Sequence, residues 1–246
     1  MEGVREIFTP AELIKASGGD LLVVWAAQGF GAGVRVWRNG DAVAVAAPEL
    51  SKRDRLSVVG PAADAAPLVR DVLAEVGPSY RPFGDEDLLR ELAKRVSGLE
   101  FSAAFGWMDT ADVPEVTTTA AWLSGEAGIE QLLEEASPSS YAWPGRPGVR
   151  RWAAITGENG ELLSIAADAW SAPEVGFLAG VATASVARGK GLSRQVCGFV
   201  TAELVKRHGH AALMVNSDNS AAIAVYRRLG YTYRRVAAAG LLTASA

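Results

Sequence analysis

Cysteine and histidine are nearly absent from this sequence, and their scarcity excludes several kinds of site. Cys197 is the one cysteine in 246 residues, so the chain has no internal disulfide framework and no thiolate metal cage. The two histidines, His208 and His210, stand together. The chain therefore has too few suitable side chains for a zinc site or a histidine-based catalytic triad, and we expect no metal ion.

An excess of basic charge and long apolar runs are also missing. The net charge is −4, so no global basic field attracts nucleic acid or an anionic membrane. No uncharged apolar run approaches the length that spans a bilayer, and the first six residues lack the basic-then-apolar order of a secretion signal. We expect a cytoplasmic protein that binds neither nucleic acid nor membranes. Association into a homodimer stays open.

Apolar periodicity, caps and turn residues predict alternating strands and helices. The first half shows a helix at 9–16, a strand at 21–25, a hairpin through Asn39-Gly40, a strand at 55–59, a helix ending at Gly77, a short strand at 80–83, a helix from Asp85 and a strand at 99–107. The second half shows a strand at 116–123, a helix at 129–136, paired strands at 150–156 and 162–170, a strand at 175–183, a helix from Leu192 that ends at Gly209, a strand at 211–215, a helix at 222–229 and a strand at 231–236.

The two halves share this order, which indicates an internal duplication with domains 1–112 and 113–246. A duplication predicts related features in both halves, including any splayed strand pair. The key loops differ, because residues 60–67 carry two prolines and Asp64 where the second half has Arg188-Gly-Lys-Gly191. Proline donates no N–H and an acid repels phosphate, so we expect only the second half to bind an anion there.

Residues 180–193 hold an apolar strand end, a glycine loop and a helix start in that order. Glycine lets the backbone approach a ligand, and the first N–H groups of the helix then face it, which is typical of a phosphate site. Two loop types fit poorly. A Walker loop needs Gly-Lys-[Ser/Thr], whereas Lys190 is followed by Gly191-Leu192. A dinucleotide fingerprint needs a third glycine, and Arg194 stands at that position.

A third loop type fits well. Arg188-Gly-Lys-Gly191-Leu-Ser193 resembles the [Gln/Arg]-x-x-Gly-x-[Gly/Ala] loop of the GCN5-related N-acetyltransferases (GNATs). Asn219-Ser-Ala-Ala222-Ile-Ala-Val-Tyr226-Arg-Arg-Leu229-Gly-Tyr231 resembles that family's Asn-x-x-Ala-x-x-x-Tyr-x-x-Leu-Gly-[Phe/Tyr] signature, in the family's order. The resemblance covers residues 115 to 240, and Ser193 departs from it. It implies an α+β (mixed α/β) fold of two GNAT-like units, each a mostly antiparallel sheet with flanking helices. The C-terminal unit would contain a splayed strand pair, and the N-terminal unit would be degenerate.

The resemblance also implies the ligand, acetyl-coenzyme A (acetyl-CoA), as co-substrate of an N-acetyltransferase. Its pyrophosphate would lie on the loop amides, and its pantetheine arm would pair like an added strand with the end of the preceding strand. The implied binding positions are Val181, Ala182, Thr183, Arg188, Gly189, Lys190, Gly191, Leu192, Ser193, Arg194, Asn219 and Tyr226.

The implied reaction is direct attack of a primary amine, from a small molecule or a peptide, on the thioester. Tyr226 would lie near the sulfur and act as general acid. The base is open between Glu174, at the start of the strand before the loop, and Asp168 on the preceding strand, each directly or through water.

Structural interpretations compete with several of these roles. Asn219 suits a helix cap, Tyr226 a core aromatic and Cys197 a small core residue. The proline- and glycine-rich loop at 137–148, with its two aromatics, is open between a substrate-side loop and disorder. The rival to an enzyme is a non-catalytic acyl-CoA-binding or regulatory module with the same fold.

Overall fold

The computed structural model describes residues 3–242, and these form two compact units. The first unit contains residues up to 106 and from 234 onward, and the second contains residues 107–233. The division thus lies earlier than the predicted boundary at 112, and the last strand is shared. The reason is strand pairing, since Val236 lies opposite Asp85 of the first unit. Residues 1–2 and 243–246, which begin and end the two predicted domains, lie outside the described residues.

The first unit is a sheet with helices on its faces. Its elements are β1 Arg5–Ile7, α1 Pro10–Ser17, α2 Leu21–Ala26, β2 Arg35–Asn39, β3 Ala42–Leu50, β4 Arg53–Val59, α3 Ala62–Val76, β5 Arg81–Asp85 and α4 Glu86–Arg95. Strands β1 to β4 pair antiparallel in sequence order, and β5 pairs parallel with β4. Strands β6 Leu99–Thr110 and β12 Thr232–Leu241 have residues in both units. Leu56, Leu68, Val72 and Leu89 belong to one buried cluster between α3, α4 and the sheet.

The second unit repeats this plan. Its elements are β7 Ala121–Trp122, α5 Ile129–Ala136, β8 Val149–Thr156, β9 Leu162–Ala169, β10 Gly176–Thr183, α6 Leu192–His208, β11 Ala211–Val215 and α7 Ser220–Arg227. Strands β7 to β10 pair antiparallel in sequence order, and β11 pairs parallel with β10. Val196, Val200 and Leu204 of α6 pack with Ile223 and Tyr226 of α7 in the core.

Most predicted elements are confirmed, but the strand at 21–25 is wrong. These residues form α2, because Asp20 caps it: Asp20 Oδ1 accepts hydrogen bonds from the N–H groups of Leu22 and Val23. A short, uniformly apolar run has no periodicity that separates a buried strand from a buried helix. The strand at 116–123 is also shorter than predicted, since it comprises Ala121–Trp122, and the Leu123 N–H adds one bond to the Trp152 carbonyl of β8.

The order strand, strand, helix, strand, helix recurs in both units, so the predicted mixed fold of two units with a similar plan is confirmed. The splay does not recur. β4 and β5 stay paired over four consecutive positions, from Arg55 opposite Arg81 to Val58 opposite Gly84. A Cβ at Gly84 would lie 2.4 Å from the Val58 carbonyl oxygen, so these strands run in close contact. The first half thus lacks the splayed sheet that an internal duplication requires, which counts against the duplication hypothesis.

Within residues 3–242, no helix combines the length and the apolar character needed to cross a membrane.

Candidate functional site

Strands β10 and β11 separate soon after they begin. Their pairing consists of Gly176 opposite Ala211 and Phe177 opposite Ala212, although β10 continues to Thr183. The edge of β10 that faces β11 is therefore open beyond Phe177 within the described residues. This is the splayed pair predicted for the C-terminal unit, and it is confirmed.

The last residue of β10 turns its main chain toward the open side. The Ala184 N–H donates to the Leu163 carbonyl of β9, 2.9 Å away. Successive residues of a strand alternate in direction, so the Thr183 peptide groups face away from β9. Arg188 Nε donates to the Thr183 carbonyl at 3.4 Å. Of the three positions predicted to pair with pantetheine, Thr183 thus presents its backbone most directly.

A β-bulge at Gly180 interrupts β10 before this end. The register with β9 shifts between Ala179 and Ala182, and Gly180 has φ +62°. A Cβ at Gly180 would lie 2.5 Å from Cη2 of the buried Trp152. Glycine is required here both by the left-handed backbone and by the indole. An isolated glycine within an apolar strand run is the sequence signal for such a bulge.

The loop after β10 leads to a helix N-terminus without a side-chain cap. A 3₁₀ turn, Ser185–Ala187, precedes Gly189 and Gly191, both with positive φ. Gly191 is the N-cap of α6, and the first turn contains no acidic residue. A Cβ at either glycine would meet nothing within 4 Å. The first amides of α6 are thus accessible to an anion, with the exposed cations Arg188, Lys190 and Arg194 around them.

Ser193, the departure from the family pattern, is half-buried in the first turn of α6. Its side chain hydrogen-bonds the Cys197 thiol one turn further along. Burial raises the pKa of Cys197 to about 12, so its thiol stays protonated and is no nucleophile at neutral pH. Cys197 is therefore a small core residue, as the structural interpretation of the sequence predicts.

Tyr226 lies on α7 with its ring in the core and 7% of its surface exposed. Its ring meets that of Tyr231 edge-on, with 5.9 Å between centroids. Burial raises the pKa of Tyr226 well above that of a free phenol, and the thiol of Cys197 adds to this. Asn219 caps α7, because its Oδ1 accepts from the Ala222 N–H at 3.0 Å.

The two candidate bases lie in different surroundings. Asp168 is 1% exposed; its Oδ2 accepts from Arg151 Nε at 3.2 Å and its Oδ1 from Ser171 Oγ at 2.5 Å. Ser171 Oγ in turn accepts from the Phe177 N–H at 2.7 Å. The network ties β8 and β9 to the start of β10.

Glu174 is half-buried and precedes β10. The nearby Gly176 backbone lies against Leu204 and His208, in the last turns of α6, whereas the glycine loop is at the other end of that helix. A helix rises about 1.5 Å per residue. Glu174 is therefore remote from the loop.

The aromatic loop at 137–148 is held by its own hydrogen bonds. Trp143 Nε1 donates to the Ser140 carbonyl at 2.7 Å, and Trp170 donates from its N–H to Gly148 and from Nε1 to Pro147. This loop is thus folded, while its role toward a substrate stays a prediction. The sequence gives no signal for another contact, in which the exposed Glu135 of α5 accepts from Ser185.

Known proteins with the same architecture identify the fold. Residues 158–238, which include β9 to β11 and the glycine loop, match the family model described as FR47-like protein. A GCN5-related N-acetyltransferase from Kribbella flavida superposes with a TM-score of 0.59 at 19% identity, over 97% of this chain and 98% of that one. The chain has the GNAT fold.

Two further solved structures support the same conclusion. A GCN5-related N-acetyltransferase from Sphaerobacter thermophilus has a TM-score of 0.52 at 17% identity and covers 96% of this chain and 94% of its own. A tandem GNAT protein from the clavulanic acid biosynthesis pathway, solved without AcCoA, has a TM-score of 0.51 at 14% identity and covers 99% of both chains. No curated protein matches the sequence. The predicted GNAT resemblance and tandem arrangement are thus confirmed as fold.

Proposed function

We propose that this protein is an acetyl-CoA-dependent N-acetyltransferase whose second unit carries the site. One observation carries the proposal. The open edge of β10 leads, through the 3₁₀ turn and the glycine loop, to the uncapped N-terminus of α6. An extended ligand that ends in a phosphate fits these two sites in this order. The strand edge supplies strand-like hydrogen bonds, and the helix N-terminus supplies free amides. Pantetheine joined to a pyrophosphate has that form.

The residues present fit this co-substrate. The loop amides from Gly189 to Arg194 would hold the pyrophosphate, and the Thr183 peptide groups would pair with the pantetheine arm. A glycine at 189 and at 191 leaves the space that a Cβ would fill. Asn219 caps α7 through Oδ1 and keeps its amide N–H groups to donate.

Tyr226 supplies the proton in the proposed reaction. When bound, acetyl-CoA supplies an activated acyl carbon, to which the amine nitrogen bonds as the carbon–sulfur bond breaks. Tyr226 donates its phenolic proton to the departing sulfur. Its raised pKa keeps that proton in place at neutral pH. A base takes the proton that the amine loses.

The base is assigned between the two predicted carboxylates. Asp168 has both oxygens engaged and is almost inaccessible, so its contacts favour a structural role. Glu174 is half-buried, and its carboxylate makes no hydrogen bond or ion pair among residues 3–242. We assign the base to Glu174, the more accessible of the two carboxylates, acting through water.

The first unit would not bind the co-substrate. Its parallel pair β4–β5 remains closed, and the loop before α3 is filled by the protein itself. Asp64 lies in the first turn of α3, where its carboxylate accepts from the Asp41 N–H at 3.0 Å. A carboxylate at a helix N-terminus already satisfies the positive end of the dipole and repels a phosphate.

Calorimetric titration with acetyl-CoA, followed by mass spectrometry of cell extract incubated with the protein and acetyl-CoA, tests the proposal. We expect one site per chain and new acetylated amines that need the intact protein. Binding without any acetylated product would support the rival, a non-catalytic acyl-CoA-binding module. Absence of binding would overturn both.

A further inference from the structure

The side chain of Glu135 joins helix α5 to the 3₁₀ turn that precedes the glycine loop. Glu135, in the last turn of α5, receives two hydrogen bonds on Oε1, from Ser185 Oγ at 2.8 Å and from the Ser185 N–H at 3.3 Å. Ser185 opens the 3₁₀ turn that leads to Arg188 and the two glycines. The carboxylate therefore holds the turn that sets the backbone direction of the glycine loop.

The position of Glu135 is unfavourable for its own helix. The C-terminal end of a helix carries partial negative charge, which disfavours an acidic side chain there. The two Ser185 donors, together with the positive charge of Arg188, stabilise the carboxylate and lower the pKa of Glu135. The contact with the loop thus offsets a local disadvantage in α5.

We propose that Glu135 is a positioning residue of the co-substrate site, which fixes Ser185 and through it the 3₁₀ turn and the backbone direction at Arg188. This inference rests on the proposed function. The fixed turn would let the loop amides meet a phosphate without first being ordered, because immobilising a loop on binding reduces affinity.

Two substitutions of Glu135 separate positioning from charge. Glu135→Ala removes the acceptor, so we expect the dissociation constant for coenzyme A to rise about five- to tenfold. Glu135→Gln keeps an oxygen that accepts from Ser185 and removes a negative charge near the bound phosphates. Its dissociation constant is expected to stay equal to or fall below that of the unchanged protein. A role through charge alone would instead tighten binding in both variants.

The test is calorimetric titration of the full chain with coenzyme A, with thermal unfolding of each variant. Glu134→Ala, on the exposed side of the same helix, is the matched control and should leave binding unchanged. Ser185→Ala should weaken binding as Glu135→Ala does, and the double variant should be no weaker than either alone. In turnover, Glu135→Ala should raise KM for acetyl-CoA and leave kcat unchanged.

Equal dissociation constants for Glu135→Ala and the unchanged protein would overturn the inference and leave the proposed function standing. Additive effects of the Glu135 and Ser185 variants would also overturn it. If the unchanged protein did not bind coenzyme A, the proposed function would fail, and this inference with it.

Discussion

Tyr226 and Tyr231 pack edge-on in one core, yet their hydroxyl groups differ. The Tyr231 hydroxyl pairs with Thr201 Oγ1 at 2.9 Å, whereas the Tyr226 hydroxyl makes no hydrogen bond to any other group among residues 3–242. The Tyr226 oxygen is not fully buried by the described residues, so a ligand can reach it. Tyr231 is thus a structural tyrosine, whereas the hydroxyl of Tyr226 is available for chemistry.

Tyr226→Phe should lower kcat with little effect on stability. It removes the proposed proton donor, and general acid catalysis contributes about a hundredfold or more in rate. Phenylalanine keeps the edge-on contact with Tyr231, so the melting temperature should be unchanged. Steady-state kinetics with saturating acetyl-CoA and thermal unfolding measure both quantities. Full activity would remove the acid role.

Tyr231→Phe is the matched control with the opposite pattern. It leaves the buried Thr201 hydroxyl without its partner, which should reduce the free energy of unfolding by about 1–2 kcal/mol. The rate should stay near that of the unchanged protein, since the Tyr226 phenol remains. Loss of rate in both variants at equal stability would contradict the distinction between the two tyrosines.

Charge reversal at the two ends of α6 should affect binding and stability differently. Arg194→Glu places an acid in the first turn, where it repels phosphate and favours the helix dipole. We expect at least tenfold weaker acetyl-CoA binding without loss of stability. Arg207→Glu, in the last turn, should leave binding unchanged and destabilise the helix by about 0.3–1 kcal/mol. Equal binding by the two variants would mean that no anion lies at the N-terminus of α6.

Gly180→Ala should destabilise the protein more than Gly189→Ala. Both glycines have positive φ, so both variants carry a backbone penalty of about 1 kcal/mol. Only at Gly180 would the new Cβ also collide with the Trp152 indole. Overpacking should add about 1–3 kcal/mol, measured by denaturant unfolding. Equal losses of unfolding free energy in the two variants would show that the bulge accommodates the new Cβ without a steric cost.

Substitutions of the two candidate bases should also differ in their effects on stability and activity. Asp168→Asn disturbs the network with Arg151 and Ser171, so it should lower the free energy of unfolding by about 1–3 kcal/mol. Glu174→Gln should leave stability unchanged and lower kcat/KM for the amine about a hundredfold, because no carboxylate takes the proton. An unchanged kcat/KM would remove Glu174 as the base.

Stability should fall in alkaline solution because of buried protonated acids. The pKa of Cys197 rises on folding from 9.0 to about 12, so the unfolded chain loses the thiol proton first. This contribution is complete below pH 9, decreases by at most about 1.4 kcal/mol per pH unit above it, and is lost by about pH 12. Cys197→Ala should flatten the decline, as measured by urea unfolding between pH 8 and about pH 11. An equal slope in both proteins would contradict the burial of the thiol.

The glycine loop and the Asn219–Tyr231 signature could be read from sequence because each depends on local chain geometry. Positive-φ glycines, a helix cap and an apolar helix face all occur within a few residues. The C-terminal splay followed from the resemblance that these motifs carry. The helix at 21–26 was missed because an unbroken apolar run has no period, and its cap, Asp20, was not read as one.

Other features could not be predicted because they depend on residues far apart in sequence. The Ser185 contact of Glu135 spans 50 residues, and the fit of Trp152 against Gly180 depends on strand register. The closed β4–β5 pair likewise depends on the approach of Gly84 to Val58, which no local pattern indicates. The shared last strand depends on pairing between residues far apart in the chain, such as Val236 and Asp85.

The central claim is that the second unit transfers an acetyl group to an amine. Release of free coenzyme A thiol, measured with saturating acetyl-CoA over a panel of primary amines, tests it most directly. We predict release that depends on at least one amine and falls about a hundredfold in Tyr226→Phe. Tight acetyl-CoA binding with no amine-dependent thiol release would contradict the claim.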